Sequence, residues 1–195
     1  LTLVLAICML SIIGCSNDEE TFAEGKDAYR DEDYKTALAL FTPLAEDGHA
    51  EAQRWLGYMY SDGKGVPANI ITEKTGMYWY RLSAEQGNAE AQLYLGYAYW
   101  TGKGVTENRK TAAEWFTLSA EQGNMRGLHS LGWAYKDGEG VPQSKIYAHM
   151  WFNLSHSQGH PSGDSDRDKM AEIMTAEEIT TAEQLAVECF AKEFK

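Results

Sequence analysis

The 195-residue chain is short of positive charge: 17 lysines and arginines stand against 29 aspartates and glutamates, a formal charge of −12. A surface this acidic repels phosphate backbones, so no nucleic-acid partner is expected. Long apolar runs are also missing. Leu1 to Ile13 is the one stretch of any length, and it falls below the ~20 residues that a membrane span requires. Cysteine appears three times, at Cys8, Cys15 and Cys189. Cys189 lies in an apolar stretch and reads as a small core residue rather than a reactive thiol. Of four prolines, Pro43 falls inside an otherwise helical segment, which it should kink by removing one backbone donor. Disorder is excluded by a hydrophobic content of 44%, and the length suits one sizeable folded unit.

What the chain has in abundance is repetition. LSAEQGN occurs at Leu82 to Asn88 and again at Leu118 to Asn124, with relatives PLAEDGH at Pro43 and LSHSQGH at Leu154. A fixed register of this kind marks stacked structural units. Alignment on the motif gives three full units: 49–88, 89–124 and 125–160. Each opens with a segment in which Leu56, Gly57 and Tyr60 recur as Leu95, Gly96 and Tyr99, then as Leu131, Gly132 and Tyr135. Offsets of three and four place them on one face of a first helix, A. A second set, Gly76, Trp79 and Tyr80, becomes Ala112, Trp115 and Phe116, then Ala148, Trp151 and Phe152, and defines the buried stripe of a second helix, B.

The punctuation is equally regular. Between A and B lie SDGKGVP, TGKGVT and DGEGVP, whose paired glycines tolerate the positive φ of a sharp turn. After B, Gly87, Gly123 and Gly159 suit the left-handed residue that closes a helix, and Asn88 or Asn124 can cap the next helix A. Small Gly57, Gly96 and Gly132 let helix B approach closely. LSAEQGN is thus expected where one hairpin stops and the next starts.

AEAQ, LGYAY, GKGV, EWF and SAEQGN resemble the Sel1-like repeat, a relative of the tetratricopeptide repeat with a longer, glycine-rich turn. The resemblance covers about His49 to His160. It implies an all-α fold, a right-handed α/α superhelix. The first unit carries three extra residues around Ala68 to Thr75, and the third has His156 where the others have Ala84 and Ala120. Residues 22–48 lack the long turn and look like a tetratricopeptide-type hairpin. Residues 161–195 resemble the helical tail that often follows such repeats, which would cap the open end of the stack.

At the other extreme, Leu1 to Gly14 has the layout of a secretory signal. Ile12-Ile13-Gly14-Cys15 resembles a bacterial lipobox, which implies lipidation at Cys15 and a short acidic tether over 15–21. Ser16 rather than Asp after that cysteine implies the periplasmic face of the outer membrane. A cleaved, secreted binding module is the alternative.

Chemistry leaves few candidates. Ser61-Asp62-Gly63-Lys64 and Lys74-Thr75-Gly76 mimic S-x-x-K and K-T-G of penicillin-recognising serine enzymes, which keeps a periplasmic β-lactam or cell-wall hydrolase as the alternative function. Their expected context contradicts it, since Ser61 is placed at a repeat turn and K-T-G on helix B rather than on a strand. His156 and His160 stand four apart, but Gly159 between them should end the helix, so no metal pair is expected. His49, His129 and His149 read as surface or packing residues. No triad, phosphate loop or dinucleotide fingerprint is present, so neither catalysis nor a cofactor is expected.

By resemblance to tetratricopeptide stacks, helix A lines a concave groove. The matching positions are Arg54, Tyr58 and Ser61, then Leu93, Tyr97 and Trp100, then His129, Trp133 and Lys136. Tyr58, Tyr97 and Trp133 are equivalent and would form an aromatic stripe suited to anchoring a peptide. Burial of the same rings between hairpins is the competing reading. The resulting expectation is a non-catalytic scaffold that binds a protein or peptide partner and is held at the membrane through Cys15.

Overall fold

The computed structural model describes residues 17–66 and 73–193. Cys15, its lipobox and the preceding apolar segment lie outside the described residues. All regular structure among the described residues is helical. Helix α1 covers residues 17–30, so the segment read as an acidic tether is already helical from residue 17. There follow α2 (Tyr34–Glu46), α3 (Ala50–Asp62), α4 (Glu73–Glu85), α5 (Ala89–Thr101), α6 (Arg109–Glu121), α7 (Met125–Asp137), α8 (Lys145–Ser157), α9 (Gly163–Ala171) and α10 (Ala176–Glu193). No helix among them is long and apolar enough to cross a membrane. The chain divides into two compact units, with the boundary between Ser83 and Ala84.

In the first unit, α1, α2 and α3 share a core of Phe22, Phe41, Leu44, Leu56 and Met59. Phe22 packs against Phe41 with ring centroids 5.6 Å apart, and Phe41 stacks on Trp55 at 5.6 Å. Helix α2 runs through Pro43 without a break in its assigned span. Close approach is achieved the same way twice. A Cβ at Gly25 would come 2.5 Å from the Phe41 ring, and one at Gly57 would come 2.6 Å from the Tyr80 ring.

The second unit repeats that device. Gly96 lies under Phe116 and Gly132 under Phe152, with a hypothetical Cβ 2.5 and 2.6 Å from ring carbon. The glycine of helix A and the aromatic of helix B are therefore one paired feature, and Phe116 and Phe152 are almost wholly buried as a result. Leu93, Phe116, Leu128, Leu131, Met150 and Leu154 form a continuous core, which Ala182 and Ala186 of α10 complete. Met170 of α9 packs with Ala148 and Phe152. Together α9 and α10 cover the α8 side of the last hairpin, as a terminal cap should.

Capping explains where the helices begin. Asn88 and Asn124 accept hydrogen bonds from the amides of Ala91 and Gly127 at 2.9 and 3.0 Å. In the first repeat the equivalent residue is His49, whose Nδ1 accepts from the Ala52 amide at 3.2 Å. An imidazole thus replaces the amide as the cap. The B helices have caps of their own in Asn108 and Ser144, which accept from the amides of Thr111 and Tyr147. Both glycines of the last turn, Gly138 and Gly140, have positive φ (71° and 78°). Gly140 additionally rests against the carbonyl of Arg109 at the start of α6, leaving no room for a side chain.

Candidate functional site

Within the second unit, α5 and α7 hold a cavity of about 310 Å³ between them. Tyr97 and Trp100 line it from α5, and His129, Ser130, Trp133 and Asp137 from α7, while Phe116 of α6 forms its floor. Four residues singled out on helix A (Tyr97, Trp100, His129 and Trp133) therefore meet around one space. The helical period explains this: positions one turn apart on α5 face their counterparts on α7.

The rings are held in fixed relationships. Tyr97 stands edge-on to Phe116 at 5.2 Å, and its hydroxyl shares a 2.8 Å hydrogen bond with Ser130 Oγ. Trp100 tilts against Phe116 at 5.8 Å, and Trp133 stands edge-on to Phe152 at 5.9 Å. Each tryptophan also carries a cation of the protein itself. Arg109 lies 4.4 Å above Trp100, and the Lys136 ammonium lies 3.8 Å from the centre of Trp133. Arg109 is further bound to Glu107 and Glu139.

Behind the cavity is a polar cluster that the sequence did not reveal. His129 Nε2 lies 2.9 Å from Asp166 Oδ2 of α9, and the His129 ring stacks on His160 with centroids 3.9 Å apart. Burial raises the Asp166 carboxyl, but the Lys169 and His129 hydrogen bonds outweigh it and hold the group below the usual carboxylate range. Burial, and then the neighbouring His129, push the His160 imidazole below the ordinary histidine value. His160 therefore pairs with His129 across 31 residues of sequence, and not with His156. Among the described residues no group of three or more His, Cys, Asp or Glu side chains is arranged to hold a metal ion.

Other helix A positions lie elsewhere. Leu93 is fully buried, which corrects its assignment to a binding surface: α7 packs over this position, and Leu93 joins Leu128 and Leu131 in the core. Its equivalents Arg54 and His129 carry polar atoms and remain half-buried. Arg54 is paired with Glu51 at 2.9 Å and lies over Trp55 at 5.0 Å. Tyr58, in the first unit, packs by its edge against Tyr29 and Trp55 at 6.0 and 6.4 Å. For Tyr58 the packing alternative thus accounts for much of the ring. Ser61 occupies the last turn of α3 rather than the turn beyond it, and its Oγ is buried against Gly76 with no hydrogen-bond partner among the described residues. Gly76 belongs to helix α4, so the K-T-G triplet ends on a helix and not on a strand.

The hairpins α3/α4, α5/α6 and α7/α8 coincide with three matches to the Sel1 repeat model, over residues 50–88, 89–124 and 126–160. The chain belongs to the Sel1 repeat family. A crystal structure of a Sel1 repeat protein from Oxalobacter formigenes is similar over 75% of this chain and 57% of that one, with 26% identity and a TM-score of 0.71. A second, c5321, a protective antigen of uropathogenic Escherichia coli with an SLR fold, is similar in fold over 90% of this chain and 46% of its own, with 23% identity and a TM-score of 0.64. The chain thus spans about half the length of these solved relatives. No curated protein matches it at a significant level. The Sel1 repeat fold is commonly a protein-interaction scaffold.

Proposed function

We propose that this Sel1 repeat protein is a non-catalytic scaffold that holds a segment of a protein partner at the cavity between α5 and α7. The observation that supports this reading most directly is the clustering of Tyr97, Trp100 and Trp133 around one solvent-reached space, with Tyr97 38% exposed. Large amphipathic rings of this kind supply most of the energy at peptide and protein interfaces. The reading includes an address: lipidation at Cys15 would tether the scaffold to the periplasmic face of a bacterial outer membrane. Its support is the likeness of Ile12 to Cys15 to a lipobox.

The experiment is a pull-down from detergent-solubilised envelopes with the full chain, compared with a Tyr97→Ala/Trp133→Ala variant of unchanged helicity. Partner loss confined to the double variant supports the cavity as the docking point. Equal recovery by both proteins would move the interaction away from α5 and α7. Tyr58→Ala forms a separate arm, because its ring packs on Tyr29 and Trp55 in the first unit. Metabolic labelling with a fatty acid, retained by the parent chain and lost in Cys15→Ser, tests the anchor.

A further inference from the structure

Resting on the scaffold reading, we propose that the cavity between α5 and α7 selects a cationic side chain on the partner segment, arginine foremost. Its volume of about 310 Å³ is at the lower limit for small-molecule sites, and suits one long side chain better than a larger ligand. Its walls are the rings of Tyr97, Trp100 and Trp133, whose faces attract cations. Asp137 supplies a carboxylate at the mouth, and it has no hydrogen-bond or ion-pair partner among the described residues. As the last residue of α7 it stands at the negative end of that helix, which deepens the local potential.

The protein already shows that two of these rings, Trp100 and Trp133, bind cations. Arg109 sits on Trp100, tied there by two glutamates. Lys136 differs: its ammonium rests on Trp133, and no carboxylate holds it among the described residues. Lys136 is thus an internal occupant that an incoming guanidinium can replace, the lysine swinging into solvent on its flexible stem. A planar guanidinium stacks on an indole and pairs with a carboxylate at the same time, which an ammonium does less well. A purely apolar side chain would instead cover Asp137 and strip its water without compensation. The net charge of −12 favours encounter with a basic segment over an acidic one.

The test is a titration followed through the indole N–H signals of Trp100 and Trp133 by NMR. The probes are end-blocked Gly-Ser-X-Ser-Gly peptides with X as arginine, lysine, citrulline, leucine, phenylalanine or aspartate. Arginine should give saturable shifts, lysine weaker ones, and the isosteric but neutral citrulline none. Asp137→Asn, at an exposed position, should weaken the arginine peptide about three- to thirtyfold. Lys136→Met should tighten it, because the competing ammonium is gone. Citrulline or leucine matching arginine, or loss of arginine binding in Lys136→Met, overturns the proposal. Shifts with leucine or phenylalanine but not arginine overturn it while leaving the scaffold reading intact. Indole signals that no peptide moves also overturn it, and the scaffold reading then stands or falls on the pull-down alone.

Discussion

The hydroxyl of Ser119 donates a hydrogen bond to the carbonyl oxygen of Ala89, 2.7 Å away, joining the end of α6 to the start of α5. The same bond recurs in each repeat: Ser83 to Ala50 at 2.7 Å and Ser155 to Met125 at 3.0 Å. All three serines are fully buried. The serine of LSAEQGN therefore locks the open end of its own hairpin. Ser119→Ala removes a buried bond while the Ala89 carbonyl remains part of its helix, so the expected loss is about 1 kcal/mol. Urea unfolding of the variant, compared with an exposed control such as Thr101→Ala, measures it.

Gly96 and Gly132 carry a sharper prediction. Alanine is the better helix former by up to ~1 kcal/mol, but its methyl would fall 2.5–2.6 Å from a buried phenylalanine ring. The Phe116 ring is buried and braced by Tyr97 and Trp100, so moving it disturbs those contacts as well, overpacking wins, and a net loss of about 1–3 kcal/mol is expected for Gly96→Ala. Pairing Gly96→Ala with Phe116→Leu should recover part of it. A Gly96→Ala chain as stable as the parent would mean that the two helices separate at little cost.

Gly140 tests a different contact. Its φ of 78° already disfavours any side chain, and the Arg109 carbonyl occupies the place of a Cβ. Gly140→Ala should therefore destabilise more than Gly138→Ala, whose Cβ would meet Gln143 no closer than 3.0 Å, against 2.1 Å from the Arg109 carbonyl oxygen at Gly140. Thermal unfolding of the two variants side by side distinguishes backbone strain, common to both, from the added clash with α6.

Much of this architecture was legible because repetition amplifies weak signals. Gly57, Gly96 and Gly132 recur with aromatic Tyr80, Phe116 and Phe152, and three aligned copies expose a pairing that one copy would hide. The glycine turns and the asparagine caps were readable for the same reason. The site was less legible. Leu93 occupies the same helix A position as Arg54 and His129, yet only a structure shows that α7 covers it. Ser130 and Asp166 matter through contacts over 33 and 37 residues of sequence, and neither has a counterpart in the other repeats. Nor could the motif reveal what its serine does, since a hydrogen bond to a helix start leaves no mark in the sequence of that start.

His160, stacked on His129, makes stability depend on pH. The His160 value is depressed in the fold by burial and then by His129, and His149 is likewise depressed by burial and then by Arg167. Both groups bind a proton more readily when the chain is unfolded. Their contribution is therefore fully present above the ordinary histidine value of about 6.5 and is lost as pH falls from there through the depressed folded values. Asp166 acts later. Its carboxyl is held below the usual range, so its contribution persists until pH drops below about 4, where the bonds to Lys169 and His129 fail. The urea midpoint should accordingly be lower at pH 5.5 than at pH 7.5, and His160→Gln should reduce that difference. An unchanged difference in the variant would take the effect away from His160 and turn attention to His149, which is 97% buried and depressed by that burial.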